Sequence, residues 1–289
     1  MISQQAQFFW CLFLRLINHK LIYLQIKECG KGVSQLLTRI EIRIEKNEEP
    51  INYNMSSLFH GALMEKIETA YVEKLHNNGL KPYSQSIRLT KENTIWSVCT
   101  LTKEAKDNII LPLLDKDFTQ IEIKHKNICM PVAEKTVTEI SYEQLLKETY
   151  FYECQKTINM AFTSPTAFKS QDKYIFYPTV RHVFQSLINK FDASSMGSEI
   201  GTEEILEQIE DHVVITGYNL RSMRFHLEGT SIPSFMGSIR LKINSTQQMA
   251  NLIWLLGSYG EYSGTGIKTS LGMGGIRTYE RKEIVKDAK

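Results

Sequence analysis

The sequence predicts an α+β fold built from two βαββαβ units in tandem, and three features support this prediction. The chain has 289 residues, 42% of them hydrophobic, which allows one large core or two cores of ordinary domain size. Along the chain, apolar residues recur first with the two-residue period of strands and then with the period of helices. A dense run of glycines follows the last predicted helix.

The first half carries one βαββαβ series that begins at Leu36. The run LLTRIEIRIEK alternates apolar and polar residues and predicts a half-buried strand. A helix is predicted over residues 55–76, because its apolar residues have near-helical spacing and polar residues at its start can cap it. The remaining elements are the strands SQSIRL and NTIWSVCTL, a helix over residues 103–114 and a strand in FTQIEIKHKNICMPV.

The second half repeats this order in its pattern of elements. Its predicted elements are a strand (153–162), a hairpin (164–179), helices at 180–191 and 202–212, strands at 212–229 and 234–243, and a helix at 246–259. The order is that of the ferredoxin-like fold, whose sheet is also that of RNA-recognition modules. We therefore expect an N-terminal ferredoxin-like domain at residues 36–135, a linker at 136–150 and a C-terminal ferredoxin-like domain at 151–289.

Residues 1–35 are expected to form an extension outside the fold. The apolar run over residues 8–26 nearly has the length of a membrane span, but Arg15 and Lys20 interrupt it. A charge at the centre of a lone span costs about 2.5–3.5 kcal/mol on insertion scales. The sequence therefore favours an extension over a membrane segment.

Charge and cysteine content restrict the class of protein only broadly. The net charge of +2 neither requires nor excludes a nucleic-acid partner. The five cysteines are widely spaced and contain no C-x-x-C pair, so neither a disulfide framework nor a thiolate zinc site is expected. Reduced cysteines indicate a cytoplasmic protein.

The glycine-rich segment from Gly264 to Ile276 is the most informative part of the sequence. Glycine adopts positive φ and allows the backbone to approach a ligand closely, so successive N–H groups can face a phosphate while a lysine adds charge. A flexible loop is the alternative interpretation. The residues that we assign to phosphate binding are Gly264, Gly266, Lys268, Thr269, Ser270, Gly272 and Gly274.

Two nucleotide-binding motifs do not fit this segment. A Walker A loop needs a lysine directly after its last glycine, but Ile267 separates Gly266 from Lys268. A Rossmann fingerprint needs a third glycine three places after the second, where this sequence has Thr269 or Arg277. A nucleotide-dependent enzyme is therefore disfavoured.

The spacing of the glycines resembles the C-terminal signature G-h-G-x-x-x-x-x-G-h-G-x-h (h, apolar) of the CRISPR-associated repeat-processing endoribonucleases of the RAMP superfamily. Thr265 is the one departure, since an apolar residue is common there. The segments PTAFK and SFMGSIRL extend the resemblance, which covers about residues 36–281. It implies tandem ferredoxin-like domains and cleavage of CRISPR repeat RNA without metal or cofactor, leaving a 2′,3′-cyclic phosphate. Other CRISPR effector subunits are further candidate partners.

The same resemblance suggests His76 and Lys81 as catalytic residues, because a histidine at the end of the first helix followed by a lysine is common in the family. An imidazole with a pKa near 6.5 can transfer a proton to or from an RNA oxygen, and a lysine can stabilise the charge of the phosphorane. Alternatively, His76 only interacts with the helix dipole. Met64 stands where relatives often have a tyrosine, so His60, Tyr71 or Tyr83 could replace it.

The second half also contains cations interleaved with aromatic residues, which is typical of RNA-binding surfaces. The hairpin residues Lys169 and Lys173, close to Tyr174 and Phe176, are the first candidates after Lys268. Further candidates are Arg181, Arg221, Arg224 and Arg240. A non-catalytic RAMP subunit that holds guide RNA in an effector complex would have the same loop and would not need His76.

Overall fold

The computed structural model describes residues 36–45, 51–77, 79–90, 93–194, 200–227 and 229–280. The predicted N-terminal extension lies outside these residues. Within the described part of the chain, no helix is both long and apolar enough to cross a membrane.

The first sheet has five antiparallel strands in the order β2-β3-β1-β5-β4. The strands are β1 (Leu36–Ile44), β2 (Tyr83–Leu89), β3 (Thr94–Thr100), β4 (Gln120–Ile123) and β5 (Ile128–Ser141). The predicted single strand at residues 118–132 is wrong, because Asn127 has a positive φ of 54° and turns the chain between β4 and β5.

The helices of the first half cover one face of this sheet. They are α1 (Ser56–Met64), α2 (Thr69–Asn77) and α3, which consists of the consecutive segments Lys103–Ala105, Lys106–Ile110 (π-helical) and Leu111–Leu114. The prediction of one continuous helix over 55–76 is wrong, because the chain leaves the helix between Met64 and Thr69. The core beneath them includes Phe59 packed edge-on against Trp96, with ring centroids 5.3 Å apart.

Residues 136–150, predicted as a linker, have regular structure. Strand β5 continues to Ser141 and pairs with β1 along its length, and helix α4 (Tyr142–Glu148) begins directly afterwards. Ser141 caps α4 by accepting a hydrogen bond from the Gln144 N–H. The apolar side of α4 packs into the core of the second half, so we propose that the domain boundary lies at the start of this helix.

The second sheet has four strands in the order β11-β6-β10-β9, all antiparallel. A small hairpin of β7 and β8 follows β6, as predicted. The elements of this half are β6 (Thr157–Thr166), β7 (Phe168–Ser170), β8 (Lys173–Ile175), α5 (Val180–Ser194), α6 (Glu203–His212), β9 (Val213–Leu227), β10 (Thr230–Ile243), α7 (Gln247–Ser263) and β11 (Ile276–Tyr279).

The two sheets share one topology, which confirms the predicted tandem ferredoxin-like fold. In each, the first strand lies between the third and the last strand of its βαββαβ series. In the first sheet β1 lies between β3 and β5, and in the second β6 lies between β10 and β11.

A charged network joins the two halves and positions them against each other. Glu261 on α7 accepts hydrogen bonds from Arg39 of β1 (3.4 Å) and from Arg277 of β11 (3.3 Å). It also accepts from the Thr278 N–H (2.9 Å). Arg277 in turn pairs with Glu41 of β1. The Arg39 side chain is only 8% exposed, so the contact with Glu261 is needed to stabilise its buried positive charge.

Candidate active site

The glycine-rich loop connects α7 to β11 and lies where the two halves meet. Its residue Gly272 approaches Ser56 at the start of α1, and Gly275 approaches Ser86 of β2 and Ser164 of β6. The loop therefore belongs to the second half in sequence but contacts a helix and a strand of the first half.

Hydrogen bonds within the loop and to β6 fix its shape. Thr265 donates its N–H to Gly274 O (2.8 Å), and Gly274 donates its N–H to Pro165 O (2.9 Å). Gly274 has a φ of +73°, and a Cβ there would lie 2.0 Å from Thr265 O. Only glycine fits at this position, because both the backbone angle and the close approach exclude a side chain.

These hydrogen bonds occupy many of the loop amides that the sequence predicted to face a phosphate. The N–H groups of Gly264, Thr265, Ile267, Leu271, Met273 and Gly274 donate to backbone carbonyls, and those of Gly266 and Gly275 donate to serine hydroxyls. Most of the glycines therefore determine the shape of the loop and do not present their N–H groups to a ligand. The residues that reach the surface at its centre are Lys268, which is exposed, and the half-buried Thr269 and Ser270.

Apolar residues of the loop anchor it to the far end of the second sheet. Met273 is fully buried in a small cluster with Ala167 and Phe225, and Ile267 and Leu271 pack against the same cluster. This packing explains why apolar residues alternate with the glycines. It holds the Lys268–Ser270 segment at a fixed place beside the first half.

His60 of α1 and Tyr83 of β2 connect the first half to this loop. The Tyr83 hydroxyl lies 3.4 Å from His60 Nδ1, and the two rings are parallel with centroids 6.4 Å apart. Tyr83 also shares a side-chain hydrogen bond with Ser270. Burial, together with the charge of His76, lowers the pKa of His60 to about 4.

His76 and Lys81 lie at the end of α2 and just after it. His76 is exposed in the last turn of α2, close enough to His60 for its charge to affect the His60 imidazole. The Lys81 ammonium donates a hydrogen bond to Leu75 O, which fixes it beside that turn. The structure thus brings the predicted residues His60, His76 and Lys81 into one neighbourhood.

A cavity of about 480 Å³ joins this neighbourhood to the glycine loop. Lys81 lines it from the first half, and Lys268, Thr269 and Ser270 line it from the second half. Two cations and two hydroxyl side chains can together bind an anionic group such as a phosphate. The described residues contain no group of three or more His, Cys, Asp or Glu side chains suited to hold a metal ion.

The predicted hairpin lysines differ in their distance from this cavity. Lys169 lines a second cavity of about 400 Å³, which shares Leu80, Gly266 and Ile267 with the first. Lys169 forms an ion pair with Asp172 (2.8 Å), while Lys173 is exposed at the tip of the hairpin. Arg181, another predicted RNA contact, instead pairs with Glu203 and Glu210 of α6.

Sequence reasoning missed Lys190, which is buried on α5 beneath the loop. Its Nζ lies within hydrogen-bond distance of Gly264 O (3.1 Å), Ser263 O (3.3 Å) and Thr269 Oγ1 (3.2 Å). The signal was its position three residues after Leu187, on the apolar stripe of the helix. A lysine on such a stripe needs buried partners.

Comparison with solved structures supports the class of fold. A Cas6 product complex superimposes with a TM-score of 0.70 and 19% identity, over 85% of this chain and all (100%) of that one. Thermus thermophilus Cas6 superimposes with a TM-score of 0.67 and 21% identity, over 86% of this chain and 100% of that one.

Sequence comparison identifies the family. The model of the CRISPR-associated endoribonuclease Cas6 family matches residues 160–276. The chain is 34% identical over 225 residues to the CRISPR-associated endoribonuclease Cas6 of Streptococcus thermophilus, covering 78% of this chain and 91% of that protein. The Mycobacterium tuberculosis protein of the same name is 30% identical over 251 residues, covering 86% of this chain and 80% of that protein. The chain therefore belongs to the CRISPR-associated endoribonuclease Cas6 family.

Proposed function

We propose that this endoribonuclease cleaves precursor CRISPR RNA within its repeats, without a metal ion, by attack of a ribose 2′-hydroxyl on the adjacent phosphate. One observation carries the proposal: Lys81, beside the last turn of α2, and the Lys268–Ser270 segment line the same cavity. His76 follows Leu75, whose carbonyl binds Lys81, and His60 is linked to Ser270 through Tyr83, so a phosphate bound there would lie near two side chains that can move protons. The products would be a 2′,3′-cyclic phosphate and mature guide RNA.

His76 is the principal proton-transfer residue in this proposal. The reaction removes a proton from the 2′-hydroxyl and returns one to the leaving 5′-oxygen, and each transfer contributes about 10²–10⁴-fold to the rate. His76 is exposed at the end of α2, beside the turn that Lys81 contacts, so its ring is accessible to RNA. His60, with its pKa lowered to about 4, is unprotonated at neutral pH and can therefore accept a proton or orient its neighbours.

Lysines and hydroxyls supply positive charge and hydrogen-bond donors. Lys81 lines the cavity from the first half, where it can stabilise the charge of the phosphorane, and Lys268 lines it from the second half, where it can hold a phosphate of the bound RNA. Thr269 and Ser270 add hydroxyl donors, and the exposed Lys173 and its neighbour Tyr174 extend the RNA-binding surface along the hairpin. One neighbour of this fold, with a TM-score of 0.56, is described as a RAMP protein binding different RNA substrates.

The test is a cleavage assay with repeat RNA from the same genome, with and without EDTA. We expect cleavage at one position in both conditions and a product end that resists phosphatase until acid opens the cyclic phosphate. Cleavage that stops in EDTA and returns with magnesium would contradict the metal-free mechanism. Tight RNA binding without cleavage would instead support the non-catalytic subunit.

A further inference from the structure

Lys190 combines near-complete burial with a place in the wall of both cavities. It lies on α5 between Leu187 and Phe191, with only 8% of its surface exposed. It lines the larger cavity together with Lys81 and Lys268, and the smaller cavity together with Lys169. Burying an amine that can carry a charge is costly, and the two neighbouring cavities are lined by other cations. The position of Lys190 therefore calls for a functional explanation.

The contacts of Lys190 connect the end of α7 to the exposed segment of the glycine-rich loop. Ser263 O and Gly264 O belong to the last turn of α7 and its cap, and Thr269 Oγ1 belongs to the exposed segment of the loop. The three acceptors match the three N–H donors of an ammonium. All three are uncharged, and no carboxylate pairs with Lys190 in the part of the chain that the structure describes.

Among the residues that the structure describes, the charged and titratable groups around Lys190 provide no carboxylate partner for its amine. Lys81 and Lys268 share the larger cavity, and Lys169 and His182 share the smaller one. Tyr259 donates its hydroxyl to the backbone carbonyl of Lys190. The carboxylate of Asp192 is occupied by the N–H groups of Ile200 (2.9 Å) and Gly201 (2.9 Å). Burial therefore lowers the pKa of Lys190 to about 7.

We propose that Lys190 is a positioning residue that takes up a proton when an RNA phosphate enters the larger cavity, and that the resulting ammonium holds Thr269 and the end of α7 in the binding shape. This inference rests on the proposed function, because the anion that it requires is the phosphate of bound RNA. A phosphate supplies the negative charge that this site lacks, and an opposite charge within a few ångströms favours the protonated amine. RNA binding and protonation of Lys190 thus favour each other.

The expected size of this coupling can be measured at pH 8. An amine with a pKa of about 7 is roughly 10% protonated there, and a phosphate that raises its pKa by about 1.5–2 units would make it mostly protonated. Binding should then take up about 0.6–0.8 proton at Lys190. Histidines near the cavity can also take up protons when RNA binds. The quantity that tests the proposal is therefore the difference in proton uptake between the wild type and the Lys190 variants.

The experiment is calorimetry of the full chain with a repeat RNA carrying 2′-deoxyribose at the mapped cleavage position. Titrations in two buffers of different ionisation enthalpy give the number of protons taken up. Lys190→Arg keeps a positive charge that does not titrate, so it should bind RNA with near wild-type affinity and take up about 0.6–0.8 fewer protons. Lys190→Met should lose both the uptake and at least tenfold in affinity. The surface variant Lys147→Met, at an exposed ion pair, is the control and should match the wild type.

The outcomes separate this inference from the proposed function. Equal proton uptake by the wild type and both Lys190 variants, with equal affinity, would overturn it. Denaturant unfolding of each variant shows whether it folds; a folded Met variant with weak binding that Lys190→Arg restores supports the positioning role. Failure of the wild type to bind or cleave repeat RNA would refute the proposed function itself, and this inference with it.

Discussion

At the scale of single residues, His60 shows how its surroundings set the chemistry of a side chain. It lies half-buried on α1, with Tyr83 on one side and His76 nearby. Its sequence position could only make it one of several candidates. The lowered pKa follows from tertiary burial, which no local pattern of residues reveals.

Protonation of His60 should destabilise the folded chain. Its folded pKa of about 4 lies below the ordinary value of 6.5, so the unfolded state binds more protons between these two values. Stability should therefore fall as the pH falls from 6.5 towards 4, by about 1–2 kcal/mol between pH 7 and pH 5. Urea unfolding at several pH values measures this loss. His60→Gln should lack that part of the dependence; an identical pH dependence in the variant would refute the assignment.

Lys190 and the loop glycines show what the sequence revealed at this scale and what it did not. The spacing from Gly264 to Gly274 was sufficient to recognise the loop and to select Lys268. It did not reveal that many loop amides would donate to carbonyl and hydroxyl oxygens of the protein, since several of those acceptors lie in or just after β6 and on α5. Nor did it reveal that Lys190 lies beneath them, because its partners are 73 to 79 residues away along the chain.

At the scale of elements, the loop contacts α1 through Gly272. Gly272 has a φ of +108°, and a Cβ there would lie 2.1 Å from Ser56 Cβ. Gly229, in the turn between β9 and β10, has a φ of +78° but open space around it. The two glycines therefore share a positive φ and differ in their neighbours.

Replacement of Gly272 by alanine should be costlier than the same change at Gly229. Both variants lose about 1–2 kcal/mol from an unfavourable φ, but only Gly272→Ala must also push the loop away from α1. We expect a total loss of at least about 3 kcal/mol for Gly272→Ala and a lower cleavage rate at saturating RNA. Denaturant unfolding and single-turnover cleavage measure the two effects. Similar stability losses in both variants would show that the loop does not press on α1.

Several element boundaries could have been read more closely from the sequence. The apolar positions of the first predicted helix are spaced by four residues except between Ala62 and Ile67, where the step is five. That irregular step coincides with the break between α1 and α2. The extension of β5 through the predicted linker was harder to predict. Polar residues stand on both faces of the strand there, so the sequence lacks the alternation of apolar and polar residues that marks a half-buried strand.

At the scale of the whole molecule, the orientation of the two halves depends on the network around Glu261. This carboxylate compensates the buried Arg39 and also binds the Thr278 N–H and hydroxyl (2.7 Å). Tandem domains could be predicted from the periodicity of their elements. Their relative placement could not, because it depends on contacts between residues far apart in sequence, such as Arg39 and Glu261.

Glu261→Gln should therefore destabilise the fold far more than loss of a surface charge. Removing the carboxylate leaves the Arg39 guanidinium poorly compensated, at an expected cost of about 2–4 kcal/mol. Glu143→Gln breaks an exposed ion pair with Lys147 and should cost less than about 0.5 kcal/mol. Guanidinium chloride unfolding of the three proteins compares these values. Equal stability of the two variants would mean that the network does not hold the halves together.

In the proposed mechanism, the first half supplies the chemistry and the loop of the second half supplies RNA binding. Measuring single-turnover cleavage rates and RNA affinities of His76→Ala and Lys268→Ala side by side tests it most directly. His212→Ala, another histidine in the last turn of a helix, is the control for a helix-dipole role.

The two variants should lose different properties. His76→Ala should cleave at least about 10²-fold more slowly while its RNA affinity stays near that of the wild type, because the lost interaction belongs to the transition state. Lys268→Ala should bind more weakly, with the slope of log K against log salt reduced by roughly 0.7–0.9, and should cleave bound RNA nearly as fast as the wild type. Cleavage by His76→Ala at the wild-type rate, or a loss of affinity in His76→Ala equal to that in Lys268→Ala, would contradict this division of labour.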